Sequence, residues 1–442
     1  MMIERYKTLR MREIWTELNQ REQWLKVEAA GQRAKETLGL APEGIHLTIL
    51  AVRMTKELLR RADEIEMTID HDLLAWVTAV SEQLDDVARI YFHAGFTSFD
   101  IEDTALMLML QESLDVIYSR LDNLRQVLLV RANQYRNKLQ VGRTHNIHAE
   151  PISFGLKLLN WVDVIERHLE RLIVVRREIS VGKFSGAVGT YVLDPQVEEL
   201  ASMYLGLKPA RISTQVLSRD LLVHYASVLV GIANSLDRFA TEIRHLAGTD
   251  VCEVAEFKRP GSKGSSAMPG KSRLRNPIKS ENVCSLAKAA RGCLLPALEC
   301  EVLWYERTLD NSGAERIYLP DLTMLVDFML QRFTDTMEKL EVFPEQMERN
   351  LWRTGGIIFA QRVIMALTGK GMARDKAYVL VEGIALQVEF GTFITENGQT
   401  FKDLVYKDQT ICSMLSAVEL DRCFDPKEAL RYLDDIFSRF KL

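Results

Sequence analysis

The sequence predicts an all-α protein built around a central bundle of long helices, and three observations carry that prediction. Apolar residues in the middle of the chain recur at alternating steps of four and three, the spacing of one helical face. Each such series lasts about five to seven helical turns. Strand signals are almost absent, with no sustained alternation of β-branched and polar residues.

The first series runs Leu110, Leu114, Ile117, Leu121, Leu124, Leu128 and marks a coiled-coil-like seam on one helix. The second runs Phe154, Leu158, Trp161, Ile165, His168, Leu172, Val175, Ile179. The third runs Tyr225, Leu229, Ile232, Leu236, Phe239, Ile243, Leu246. Helices of this length can hide such seams only against one another, so a bundle follows. Val181 to Leu193 combines several glycines with β-branched residues and reads as an interhelical loop. The longest uncharged run, Leu221 to Leu236, is shorter than the roughly 20 residues of a bilayer span and carries His224, Ser227 and Asn234. It reads as the buried face of a helix. Pro260 to Pro277 breaks the helical pattern with three prolines and three glycines among lysines and arginines. Two readings of that segment stand: a mobile lid over an anionic substrate, or a solvated surface loop.

A chain of 442 residues is long for one core, and two to four units are expected. The reading is three helical domains: residues 1–100, a central bundle over residues 101–352, and a smaller domain over residues 353–442. Hydrophobic residues at 47% and charged residues at 26% are ordinary for a soluble globular protein. A net charge of -5 gives no electrostatic reason to expect nucleic acid or an anionic membrane as partner. A small anion held by a few local arginines is compatible with it. The six cysteines, Cys252, Cys284, Cys293, Cys300, Cys412 and Cys423, form no CxxC pair and show no metal-ligand spacing. They read as free, mostly buried thiols in a reducing cytosol. Met1 to Lys7 has no secretory pattern, which adds to a cytoplasmic expectation.

Only eight histidines occur, and three lie in polar, turn-like contexts: His71, His93 and His145. An imidazole titrates near neutral pH and can hand a proton to a leaving amine, the difficult half of an elimination. The alternative for each is a structural role, and His168, on an apolar seam, reads as a core or interface histidine.

Gly264-Ser265-Ser266-Ala267-Met268-Pro269, with Lys271 and then Arg275-Asn276-Pro277, resembles the signature loop of the fumarase/aspartase superfamily, enzymes that split fumarate out of a substituted succinate. Further segments match in order: Ile3 to Tyr6, Gly142 to Pro151, Ser185 to Thr190, Thr214 to Leu217, Ala314 to Asp321 and Gln361 to Val363. Together they resemble the adenylosuccinate lyase family. The resemblance implies a β-elimination of fumarate from nucleotide-linked succinates of purine biosynthesis. Ser265 would act as general base, Lys271 and Asn276 would hold the carboxylate and spread its developing charge, and His145 would protonate the leaving nitrogen with His71 as its partner. His93 would stand beside the substrate. Arg5 and Tyr6 match phosphate contacts, and Thr97, Ser98, Thr144, Gln215, Ser312 and Arg316 match positions that hold carboxylates, phosphate or ribose.

No metal or organic cofactor is implied, because proton transfer and charge stabilisation suffice. A homotetramer is implied, with a twenty-helix core and each active site assembled from three chains. The sequence also departs from the family pattern: Asp70 stands where a basic or hydroxyl residue is common, Gly270 replaces a histidine, and Ser272-Arg273-Leu274 are extra. The loop cation is therefore Lys271, Arg273 or Arg275. Two further readings stay open: a lyase for a different amino-, guanidino- or nitro-succinate, and an inactive homologue used as a scaffold.

Overall fold

The apolar seams dictate the architecture. In the structure, a computed structural model that describes residues 2–258, 261, 268 and 275–442, every residue of the three series is at most 7% exposed. The chain enters with α1 (Glu17–Thr37), α2 (Lys56–Ile69) and α3 (Asp72–Ser81). Side chains at the N-caps start each one: Thr16 accepts from Asn19 N–H, Thr55 from Leu58 N–H, and His71 from Leu74 N–H. The long helices follow: α4 (Ser98–Gln134), α5 (Phe154–Glu178), α6 (Asp220–Leu246), α7 (Ile278–Gly292) and α8 (Asp310–Glu338). Between α4 and α5 lies an antiparallel hairpin of β1 (Leu139–Thr144) and β2 (Ile147–Ser153). Short helices from Pro344 onward complete the fold.

Contacts divide the chain into two compact units, and the long helices contribute to both. The first unit comprises Met1–Asn123, Ile165–Arg238 and Asn282–Phe333. One of its cores gathers Trp24, Leu73, Trp76, Val80, Ile101 and Phe184 from helices distant in sequence, with the two tryptophans edge to face at 5.4 Å. Polar groups on the seams find partners across helices. Tyr225 and Ser113 share a buried hydrogen bond of 2.6 Å between α6 and α4, and His168 Nε2 meets Ser235 Oγ at 2.9 Å. His168 is thus a core histidine, as its place on the seam suggested, and burial pushes its pKa down to about 4.

The second unit comprises Leu124–Val164, Phe239–Glu281 and Thr334–Leu442. Trp161 stacks on Phe239 at 4.7 Å, and a C-terminal core forms from Leu351, Phe359, Val363, Val381, Phe401 and Phe424. Gly155 lets the start of α5 press on the end of α4, since a Cβ there would sit 2.4 Å from the carbonyl of Ala132.

The turn-like reading of the segment around His145 holds, and the turn closes an antiparallel hairpin, with a register shift between Val141 and Arg143, that period-two patterning did not reveal. One expectation changes. The thiols are free, but only Cys284, Cys300 and Cys423 are buried, whereas Cys252 and Cys412 are exposed. The loop reading of residues 181–193 holds, apart from the two-residue strand Val181–Gly182.

Two charged clusters are fully enclosed in the first unit. Lys183 and Asp100 are both 0% exposed and meet at 2.5 Å. Arg219 binds Asp103 through Nη1 at 2.6 Å and Nη2 at 3.0 Å, and Glu315 through Nε at 2.9 Å. Removing one partner strands a buried charge. Lys183→Met should therefore destabilise the first unit by about 3–5 kcal/mol, read as a lower urea midpoint. Adding Asp100→Asn to that variant should recover part of the loss, because the neutral amide no longer needs a cation.

Candidate active site

A cavity of about 760 Å³ opens in the first unit, lined among others by His71, Ser98, Glu102, Gln215, Arg307 and Arg316. Four short segments and the start of α8 deliver these groups. Asp70 ends α2 in the left-handed region at φ 51°, which turns the chain so that His71 lies extended at the N-cap of α3. His71 Nδ1 accepts the Leu74 N–H at 3.3 Å. The neutral ring then carries its proton on Nε2, which faces Ser98 Oγ at 3.4 Å.

The buried clusters set the other walls. Asp100 accepts from Thr97 N–H at 2.9 Å, Gly186 N–H at 3.2 Å and Lys183 Nζ. One carboxylate thus joins the N-terminus of α4 to the 183–190 loop. Gly189 in that loop has φ 83°, and a Cβ would fall 2.1 Å from the carbonyl of Ser213, so only glycine fits. Asp103, one turn along α4, accepts from Leu217 N–H at 2.8 Å as well as from Arg219. Gln215 donates to Ala187 O at 3.1 Å and accepts from Arg307 Nη1 at 2.8 Å, while that guanidinium lies on the Phe99 ring at 3.8 Å.

Arg316 Nη2 donates to two carboxylates, Asp72 at 2.5 Å and Glu102 at 3.3 Å. Burial would raise the pKa of Asp72, but Arg316, the Leu73 N–H and Arg21 together outweigh it and the net shift is downward. For Glu102, burial and then the charge of Asp72 prevail over Arg316, and its pKa rises to about 7. Two carboxylates that share one guanidinium are thereby pushed apart in acidity.

The other expected residues are divided between this cavity and other places. Ser312 lines the same cavity, its hydroxyl donating to Leu309 O at 3.0 Å. His93 and Thr97 do not line it. His93 stands at φ 57°, with Nδ1 2.5 Å from buried Glu28. Burial alone would lower its pKa, yet Glu28 reverses the sign and the net shift is upward. Lys35 braces the same loop, reaching Ala94 O and lying 4.1 Å over the Phe96 ring. Arg5 is exposed on the turn Glu4–Tyr6, and the Tyr6 ring packs edge-on against Phe328 at 5.3 Å.

The second unit carries His145, Thr144 and Asn276. Thr144 pairs with Ile147, leaving His145 and Asn146 as a two-residue turn with φ 52° and 63°. Positive φ at both positions is the requirement of a type I′ turn, usually met by Asn-Gly. Both residues are exposed at the tip, and His145 has no hydrogen-bond partner among the described residues. The hairpin is fixed along β1 by Glu253, 0% exposed, which accepts from Gln140 Nε2 at 2.6 Å, Asn350 Nδ2 at 2.8 Å and both terminal nitrogens of Arg143 at 2.7 and 3.2 Å.

Ser265, Lys271 and Arg273 lie outside the described residues. On their flanks, Glu256 caps α7 by accepting from Lys279 N–H, Ser280 N–H and Ser280 Oγ at 2.7–2.9 Å. Asn276 is exposed just before α7. Arg275 is tied to Glu341 and to Glu256 O, so its guanidinium is already engaged.

Sequence reasoning missed Asp72, Glu102 and Arg307 as site residues. The signal for Asp72 was its place beside His71. Glu102 sits four residues after Ser98 and so on the same face of α4; a charge there reads equally well as a solvated position.

Comparison with known proteins follows the same lines. A family model described as lyase matches residues 4–292, and one described as adenylosuccinate lyase C-terminus matches residues 356–440. Adenylosuccinate lyase of Synechocystis sp. is 46% identical over 442 residues, covering 100% of each chain. Among solved structures, fumarate lyase from Mesorhizobium sp. BNC1 superposes with TM-score 0.85 at 25% identity, covering 98% of both chains. A 3-carboxy-cis,cis-muconate lactonizing enzyme from Pseudomonas putida gives TM-score 0.86 at 29% identity, covering 98% of this chain and 96% of that one.

The Glu28 contact makes a direct prediction. Glu28→Gln should move the NMR titration midpoint of His93 downward, because the amide no longer favours the imidazolium. A midpoint unchanged from wild type would remove Glu28 as the cause of the upward shift.

Proposed function

We propose, because this chain belongs to the adenylosuccinate lyase family, that it eliminates fumarate from adenylosuccinate, leaving AMP, and from the succinylated aminoimidazole carboxamide ribotide of purine biosynthesis. The full-length identity to an adenylosuccinate lyase carries this reading.

In the proposed mechanism Ser265 takes the proton from the carbon beside a carboxylate, giving an aci-carboxylate carbanion. Lys271 and Asn276 stabilise that charge. The C–N bond then breaks, its electron pair leaves with the nitrogen, the carbanion pair forms the C=C bond of fumarate, and His145 supplies the nitrogen with a proton. The exposed tip position of His145 supports this role, since a strained, rigid turn offers the imidazole to a substrate without costing further order. His71, with its proton fixed on Nε2, is the partner histidine, and His93 stands beside the substrate. Ser98, Gln215, Ser312 and Arg316 hold the succinyl group and ribose from the cavity side, with Thr97 and Thr144 as further contacts. Arg5 and Tyr6 take the phosphate. Proton transfer and charge stabilisation need no metal or organic cofactor.

The same reading includes a cytoplasmic homotetramer whose bundles merge into a twenty-helix core, with domains over residues 1–100, 101–352 and 353–442. Each active site would draw on three chains, and that gives His71 and His145 a common substrate. A second reading, elimination from a guanidino-succinate, draws support from the cavity lining: Glu66, Asp70, Asp72, Glu102 and Glu306 face Arg307 and Arg316, an acidic wall suited to a cationic leaving group.

Purified protein mixed with adenylosuccinate should release fumarate, and the aminoimidazole substrate should do the same. Fumarate from a guanidino-succinate alone would favour the second reading. Ser265→Ala should lose turnover by about a thousandfold or more while retaining substrate binding, because a base acts only in the chemical step. His71→Ala and His145→Ala should each be inactive alone, yet regain activity when dissociated and reassociated together. Continued inactivity of the mixed tetramer would argue against a site shared between chains.

A further inference from the structure

Glu102 and Arg316 stand in the wall between two cavities. Both line the 760 Å³ cavity and also a second one of about 280 Å³, whose other residues include Trp15, Trp24, Phe99 and Leu319. The guanidinium offers one nitrogen, Nη2, to both Asp72 and Glu102. Asp72 is the closer partner and is also fixed by the Leu73 N–H at 2.7 Å. Glu102 is the looser one: it is on a different helix, 3.3 Å away, and makes no other hydrogen bond among the described residues.

We infer that Glu102 tunes the anion affinity of Arg316, competing with a substrate carboxylate for the guanidinium when ionised and yielding that face to the substrate when protonated. The inference rests on the reading that Arg316 holds a succinyl carboxylate. It makes Glu102 a positioning residue for substrate binding.

The charge surroundings set the direction. Asp72 and His71 face the site from the start of α3, Glu66 and Asp70 from the end of α2, and Glu306, Arg307, Glu315 and Arg316 from α8 and the segment before it. Asp103 lies on α4 itself, and Glu17 and Arg21 contribute from α1. Burial and the Asp72 charge hold the proton on Glu102 to about pH 7. Below that pH Arg316 faces a single carboxylate and attracts a dianion. Above it a second carboxylate both occupies the guanidinium and repels the ligand.

Fumarate tests this without interference from a titrating phosphate, because it is dianionic throughout the relevant range. With the full-length protein, the inhibition constant for fumarate should rise about threefold to tenfold between pH 6 and pH 8. In Glu102→Gln the rise should largely vanish, and in Glu102→Asp, which keeps a titratable group, part of it should return. Glu102→Gln with the wild-type pH slope would overturn the inference. Arg316→Lys separates the two ideas. A weaker fumarate inhibition at pH 6 would uphold Arg316 as a carboxylate contact whatever Glu102 does. Unchanged inhibition would remove that contact, and the tuning role of Glu102 with it.

Discussion

Asp100 and Asp103, one turn apart near the start of α4, are the constraint on which the first unit depends. Each is buried, and each holds a cation from far along the chain, Lys183 and Arg219. An isolated buried carboxylate or ammonium is too costly to persist, so these groups tolerate very few arrangements of their segments. The carboxylates also accept main-chain N–H groups of Thr97, Gly186 and Leu217. Side-chain pairing is thereby converted into fixed loop geometry. Glu315 extends the network to α8, one residue before Arg316. The guanidinium of Arg316, which we propose holds substrate, is thus positioned by a neighbour that never needs to touch it.

The second unit repeats the device with one carboxylate. Glu253 gathers Arg143 and Gln140 of β1 together with Asn350. Two strands of six and seven residues would be marginal alone. Anchored this way, the hairpin can carry a turn whose residues both sit at positive φ. Glu256, three residues on, caps α7 on the far side of the signature loop. The described residues on either side of that loop, Glu256 and Lys279–Ser280, are therefore tied directly to each other.

The bundle was legible in the sequence because burial of a long seam follows from periodicity alone, and all three series are buried. The hairpin was not, because its turn is His145-Asn146 where Asn-Gly would have announced it, and its strands pair only with each other. The cavity was legible in part. His71, Ser98, Gln215, Ser312 and Arg316 were expected together, on the strength of motifs, and they do line one cavity. Glu102 escaped notice because its meaning is tertiary: only Arg316 and Asp72, 214 and 30 positions away in the sequence, make it a site residue. Single charges on amphipathic helices carry no such label.

Electrostatics also explains why cations near the site are so uneven in availability. Arg219 is saturated by Asp103 and Glu315. Arg307 spends one nitrogen on Gln215 and its face on Phe99, which leaves the rest of its fork open toward the cavity. Arg316 is shared rather than saturated. An anionic ligand gains little from a guanidinium already neutralised at short range, because binding must then displace a carboxylate of equal charge. Of the two guanidiniums that line this cavity, Arg307 is consequently the less engaged, and Arg316 is the one whose pairing with Glu102 is adjustable on our proposal. The partners of Arg316 differ in acidity, so on that proposal the net charge around its guanidinium changes without moving its backbone, and a rigid helical scaffold presents a responsive site.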